Sequence, residues 1–391
     1  MRNRAEGIIQ MDRTGIGLVG AGWMGQGLLR KLAARDDVEI RVIVGRDAEH
    51  VRPILDELRL LQSTFRSSFD SLLTDPSIHS IWLTNPNSFH GPQALAAMKA
   101  GKHVFCEKPA ATNYADFCAQ IDVQQKNPQL ISYVNYILYF DPLEQRLRQM
   151  IAGSAFGAVT QIQVNYRNQM NITGPKAWKL SKAMMGDAFG MAINHALSVM
   201  VLAMASQAKP TSVFATSAPA KVKPFEAEPI WTIQLTFDNG ATGVCLGNIE
   251  SSNGYDAYHN ITGTAGAFVF DPGHAQAQKV RYWSQRDTSG KWIWPLDKAR
   301  CAAEGIDALA WPANTSTPDS ADIIHHQTAA CVDHFLECIR LGKQSPLSFV
   351  GAGPIGEIGW AAQISAATKQ PVSLPLDRAV AMDFFSHQAT G

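Results

Sequence analysis

The chain has 391 residues, 46% of them hydrophobic, with 34 basic and 34 acidic residues. It is long enough for two domains and a large core, and it has no net field to recruit nucleic acid or an anionic membrane. No run of about 18 apolar residues exists to span a bilayer, and the first apolar stretch is not built like a secretion signal, so a cytoplasmic location and no membrane partner are expected.

Ile16, Leu18 and Val19 form a β-prone run that ends at Gly20-Ala21-Gly22-Trp23-Met24-Gly25, and Leu28, Leu29 and Leu32 then recur at helical spacing. This is the strand-turn-helix setting of a dinucleotide-binding turn. The first glycine permits the tight turn, the second lets backbone approach a pyrophosphate, and the third lets helix pack closely on sheet. Strands are predicted over 38–44, 78–83, 103–106 and 130–134. Helices are predicted over 93–98, stopped by Gly101, and over 114–123. The alternation from Gly15 to about Ser132 predicts a doubly wound parallel sheet.

Pro142 opens a helix through Ile151 that ends near Gly153, after which the pattern changes to alternating strands at 159–164 and 231–237. Asp238-Asn239-Gly240 is a hairpin turn into 241–246. The second half therefore reads as an α+β domain on a large, mainly antiparallel sheet with helices on one side. Residues 273–321 read as an irregular, Trp-containing excursion or lid, and helices are predicted over 328–341 and 355–367. The expected division is a Rossmann domain at 1–138 and a substrate-binding and oligomerisation domain at 139–391. Cys106, Cys118, Cys245, Cys301, Cys331 and Cys338 include no C-x-x-C pair and read as buried, reduced thiols. His325-His326 lacks a third ligand at metal spacing and reads as a helix face, so no metal is expected.

The end of the second strand, where an acid would hold the adenosine ribose, carries Gly45-Arg46. An arginine without that acid leaves room and a bidentate partner for a 2′-phosphate, so NADP is the expected cofactor. Asp47 next door keeps NAD open.

Thr84-Asn85-Pro86-Asn87-Ser88-Phe89-His90 and Gly101-Lys102-His103-Val104-Phe105-Cys106-Glu107-Lys108-Pro109 carry a specific likeness. With the glycine turn they resemble the Gfo/Idh/MocA oxidoreductases, which have a T-x-P-x-x-x-H turn and a G-K-H-V-x-x-E-K-P strand end. Asp141-Pro142, Gly263-Thr264-Ala265-Gly266 and Pro371-Val372-Ser373-Leu374-Pro375 extend the resemblance over nearly the whole chain. It implies cofactor contacts from Gly20, Gly22, Trp23, Met24, Gly25, Arg46, Asn85, Pro86, His90, Glu107 and Lys108. Lys108, at a strand end facing the crevice, is expected to stabilise an alkoxide or polarise a carbonyl.

The family's second signature, an acid four residues before a histidine, is altered here. Within 190–198, His195 in the histidine slot puts Met191 in place of the acid, whereas Asn194 in the acid slot puts Ser198 in place of the histidine. The first alignment keeps an imidazole able to take a proton near neutral pH. A buried histidine inside an apolar helix is the competing reading. Tyr136, Trp178, Lys179, Asp187 and Asn194 are candidate substrate contacts beside Lys108 and His195. Where the family often has arginine this chain has Tyr139. The resemblance implies a nicotinamide-dependent oxidoreductase of a sugar, cyclitol or related polyol, working as a homo-oligomer, dimer or tetramer. Two alternatives are a non-catalytic NAD(P)-binding sensor, and a glycoside-modifying enzyme whose tightly held NAD cycles between redox states.

Overall fold

The computed structural model of the protein describes residues 13–61, 64–305 and 327–388. Its first layer is a six-stranded sheet of β1 (Thr14–Val19), β2 (Val38–Val44), β3 (Phe65–Arg66), β4 (Ser80–Leu83), β5 (His103–Cys106) and β6 (Ser132–Val134). The order is β3-β2-β1-β4-β5-β6, and all neighbours are parallel. Between the strands run α1 (Trp23–Ala33), α2 (Ala48–Glu57), α3 (Asp70–Leu73), α4 (His90–Lys99) and α5 (Tyr114–Lys126). This is the predicted doubly wound sheet. Central strands such as β4 are buried along their whole length, which is why they read as apolar runs rather than alternating ones. Leu28, Leu29 and Leu32 on α1 are fully buried, each contributing roughly 1.5–3 kcal/mol.

The chain then enters α6 (Pro142–Ala152), capped by Asp141, whose Oδ1 accepts from Leu143 N at 2.9 Å and Glu144 N at 3.3 Å. The elements that follow are β7 (Val159–Gln169), α7 (Lys182–Met185), α8 (Asn194–Met204), β8 (Pro210–Ala218), β9 (Ile230–Phe237), β10 (Thr242–Asn248), β11 (Glu250–Asp256), β12 (His259–Gly263) and β13 (Gly266–Phe270). After them come β14 (Val280–Ser284), β15 (Trp292–Ile293), α9 (Lys298–Ala303), α10 (Thr328–Leu341), α11 (Gly353–Thr368), β16 (Val372–Ser373) and α12 (Arg378–Gln388). The second sheet runs β15-β14-β13-β12-β7-β10-β9-β8-β16, with β11 also on β7. It is antiparallel except where β10 lies parallel to β7. In β9, Trp231, Ile233, Leu235 and Phe237 are buried while Thr232 and Gln234 face out, the alternation of a sheet covered on one side. Helices α8 and α11 supply that cover.

One expectation is corrected. Part of the stretch from Gly273, read as an irregular lid, builds β14 and β15 at the edge of the second sheet. The alternation is there in burial, with Val280, Tyr282 and Ser284 inward, but Trp283 and Ser284 carry the opposite polarity to their positions and hide it from sequence. Residues 306–321 of that stretch, and His325-His326, lie outside the described residues. All six cysteines are buried and unbridged.

The C-terminal elements return to the first layer. Phe335 on α10 meets the edges of Trp82 and Phe105, which stack on each other at 4.2 Å, and Arg378 on α12 forms a two-pronged pair with Asp122 on α5.

Across the second domain, Glu144 Oε1 on α6 lies 2.6 Å from His259 Nε2 on β12, both side chains 2% exposed. Burial opposes a charge on His259, but the charge and hydrogen bond of Glu144 outweigh it and raise its pKa. Burial, with the Glu144 charge, lifts Asp141 to about 7. Both groups hold protons more tightly folded than unfolded, so their contribution is full below the unfolded pKa and is lost as pH rises through the folded one. Thermal unfolding followed from pH 5 to 8 is expected to show Tm falling with pH. Glu144→Gln, which leaves the buried imidazole without its counter-charge, is expected to cost about 3–5 kcal/mol and to flatten part of that slope. A Glu144→Gln protein with the Tm of wild type would contradict this.

Candidate active site

The glycine turn closes β1 onto α1. Gly20 has φ +95°, and a Cβ there would lie 2.6 Å from Asn85 N; one at Gly25 would lie 2.0 Å from Gly20 O. At Gly22, by contrast, a Cβ would meet nothing within 4 Å, so the turn is open to a ligand on that side. Gly22 is also the uncapped start of α1, whose first turn has no acidic residue, and its N–H groups present a positive helix end. Trp23 is 42% exposed with the Lys176 ammonium 5.6 Å from its ring centroid, and Met24 packs partly against the core. Thr84 Oγ1 donates to Gly20 O at 2.5 Å, pinning the end of β4 to the turn. Beside it Asn85 donates to Gln93 while its buried Oδ1 has no partner, an acceptor fitted to a ligand donor. These features fit a dinucleotide.

At the end of β2 the Arg46 side chain is 89% exposed and touches Asp47 at 3.4 Å. Asp47 caps α2, accepting from His50 N at 2.7 Å, and that bond holds its pKa below the ordinary value. Pro86 leads into a short turn before α4, where His90 is buried. Rather than opening toward a ligand, its Nε2 lies 2.9 Å from Asn85 O and its Nδ1 2.8 Å from Pro109 O.

Glu107, 7% exposed, accepts from Asn135 Nδ2 at 2.6 Å just past β6. Lys108 crosses the cleft, its Nζ donating to the carbonyl of Met191. Met191 lies in a π-turn, Phe189–Ile193, that runs directly into α8. Such turns are frequent at functional sites. A Cβ at Gly190 in that turn would stand 2.7 Å from Pro109 Cγ, so the turn and the Glu107-Lys108-Pro109 strand end are in close contact. Asp187 holds the turn by accepting from Gly190 N at 2.6 Å and Gln363 Nε2 at 2.9 Å, and burial raises its pKa.

His195 sits in the first turn of α8, 3% exposed, its ring stacked on Tyr166 of β7 at 5.7 Å. Ser198 is fully buried and its hydroxyl donates to His195 O at 2.7 Å, so it is tied to its own helix. Trp178 is half-buried against the core in the turn Gly174–Leu180, and Lys179 Nζ lies 3.4 Å from Met170 Sδ. Segment 174–191 thus passes over the first layer, touching Trp23 through Lys176, Asn87 through Met185 O, and Lys108 through Met191 O.

The structure separates the predicted substrate residues into two groups. Tyr136, Asp187 and Asn194 line a cavity of about 50 Å³ behind Pro109, with Gln120 and Gln363, and neither Lys108 nor His195 borders it. Asn194 and His195 are consecutive on a helix, their side chains about 100° apart, so one can line this cavity while the other does not. Two contributors went unrecognised in the sequence. Tyr166 stacks on His195 from a strand whose aromatic carries no motif, and Met191 offers a main-chain carbonyl that no side-chain pattern announces. Among the described residues no three His, Cys, Asp or Glu side chains converge as metal ligands, and no helix is long and apolar enough to cross a membrane.

Comparison with known proteins matches residues 14–135 to an oxidoreductase family with NAD-binding Rossmann fold and residues 145–269 to the GFO/IDH/MocA C-terminal domain. The chain is 24% identical to levoglucosan dehydrogenase of Pseudarthrobacter phenanthrenivorans over 93% of its own length and 99% of that protein. It is 24% identical to inositol 2-dehydrogenase of Salmonella typhimurium over 64% and 71% respectively. The structure of levoglucosan dehydrogenase with NADH and L-sorbose superposes with TM-score 0.77 at 21% identity, covering 94% of this chain and all of that one. An oxidoreductase domain protein from Kribbella flavida superposes with TM-score 0.77 at 22% identity, covering 93% and 100%. At these identities the structural likeness shows the fold.

Proposed function

Because this chain belongs to the Gfo/Idh/MocA family of NAD-binding oxidoreductases, we propose that it interconverts a secondary alcohol and a ketone on a sugar, cyclitol or related polyol. The observation that supports this most is the Lys108 ammonium fixed across the cleft on Met191 O, one turn before His195. The residues that would hold the cofactor are the Gly20–Gly25 turn with the open face at Gly22, Asn85 Oδ1, and Arg46 at the adenosine end. When bound, the nicotinamide supplies the hydride acceptor or donor. Lys108 then holds the substrate oxygen and stabilises the negative charge that gathers on it, from a position fixed before the reaction begins. His195 is the proton acceptor for the alcohol, its ring plane set by Tyr166. Trp178 and Lys179, on the segment passing over the cleft, are the substrate-facing residues of the roof. Relatives named for levoglucosan and inositol support the polyol class.

Two further readings accompany this one. The family likeness supports a homo-oligomer, dimer or tetramer, joined through the outer face of the second sheet. The division of labour follows the two sheets, with residues 1–138 holding cofactor and 139–391 substrate. The test of the main reading is NAD(P)H absorbance with a panel of polyols. Turnover of at least one is expected, and cofactor binding without reduction by any would favour the sensor instead.

For the cofactor, the exposed Arg46 and the absence of a side chain at Gly45 support NADP over NAD. Titration of both cofactors is expected to show tighter NADP binding in wild type and selective loss of that preference in Arg46→Ala. Equal affinities in wild type, or an unchanged ratio in the variant, would overturn the assignment.

A further inference from the structure

His90 is 1% exposed, and both of its ring nitrogens face main-chain carbonyls: Nε2 faces Asn85 at 2.9 Å and Nδ1 faces Pro109 at 2.8 Å. A carbonyl oxygen only accepts. A neutral imidazole has one N–H, so it can satisfy one of these oxygens and must turn a lone pair toward the other; only the doubly protonated ring satisfies both. The two carbonyls belong to the two loops that flank the reacting centre. Asn85 follows β4 against Gly20, and Pro109 follows Lys108 and packs on Gly190. A shift of Pro109 relative to Asn85 therefore shifts Lys108 relative to the cofactor turn.

We propose that His90 is the positioning residue for Lys108: with protons on both ring nitrogens it ties the Asn85 loop to the Pro109 loop and so sets the depth at which the lysine enters the cleft. The inference rests on the reading of Lys108 given above. The charged groups near His90 are Lys108 on the strand end it ties and Asp116 on α5, packed against Gly91, while Glu107 meets the ring through its main chain. Burial, with the Lys108 charge acting in the same direction, holds its pKa below the ordinary value against the pull of the Pro109, Asn85 and Glu107 main chain, and it is the pair of facing carbonyls that favours the second proton. Gaining or losing one proton changes the number of loops the ring grips.

Two measurements test this. With histidine ring nitrogens isotope-labelled, NMR of the NADH-bound protein at about pH 6 is expected to show His90 with two N–H groups; a single neutral tautomer there would overturn the proposal. His90→Gln, which retains a donor for one carbonyl, is expected to lower kcat by about 10-fold while the Kd for NADH stays within about three-fold, since small misplacements of a reacting group act on rate. In a Lys108→Ala background the same substitution should have no further effect on kcat, because its route of action is gone. Additive losses would overturn the positioning role while leaving Lys108 intact, whereas a Lys108→Ala enzyme of normal kcat would remove the premise instead. Should His90→Gln fail to fold, the NMR of the unmodified protein still decides.

Discussion

Lys108→Ala is expected to lower kcat by about 10²-fold or more, equivalent to roughly 2.7 kcal/mol of lost transition-state stabilisation. In an open parallel sheet the ends of β4 and β5 point into the crevice where ligands sit, and Lys108 is the second residue past β5. Its ammonium reaches the Met191 carbonyl and therefore stands between the cofactor layer and the helix that begins at Asn194. Charge that develops on the substrate oxygen appears only as the hydride moves, so its loss acts on kcat more than on binding. Cofactor affinity should change by much less, because the glycine turn, Asn85 and the N-terminus of α1 are untouched. Stopped-flow hydride transfer together with NAD(P)H titration checks both halves. A variant with near-normal kcat would exclude Lys108 from the chemical step.

His195→Asn is expected to give the second large loss, and to remove from the pH profile of kcat/KM for alcohol oxidation an ionisation in the range of a perturbed histidine. Ser198→Ala should do little. The sequence admits two alignments of this segment, and the structure bears on them through one bond: the Ser198 hydroxyl donates to the carbonyl of His195 inside the helix. His195 instead stacks on Tyr166 of the second sheet. If Ser198→Ala were the damaging substitution and His195→Asn the mild one, Lys108 would become the proton acceptor. If the pH profile ignored both changes, neither residue would be the base.

At the adenosine end Arg46→Ala is expected to give a smaller and more selective effect. The Arg46 guanidinium is exposed, while the neighbouring Asp47 is engaged as a helix cap.

What the sequence determined by itself was what local chemistry dictates. Gly20-x-Gly22-x-x-Gly25 between an apolar run and a leucine-spaced helix requires the turn that the structure shows, because a Cβ at Gly20 or Gly25 would strike backbone. Asp141-Pro142 and Gly153 bound α6, and Asp238-Asn239-Gly240 closes the β9–β10 hairpin, for similarly local reasons. The family likeness rested on such segments. What only the tertiary structure decided was direction. Tyr136, Asp187 and Asn194 line one cavity behind Pro109 that neither Lys108 nor His195 borders; Asn194 and its neighbour His195 part there because adjacent helical positions point about 100° apart. His90 looked like a cofactor contact but bridges two loops brought together only by the parallel sheet, since Asn85 and Pro109 follow adjacent strands, β4 and β5. Met191, which stands in the acid slot if His195 fills the histidine slot, meets Lys108 through its main-chain carbonyl, which every residue carries and no sequence pattern can mark.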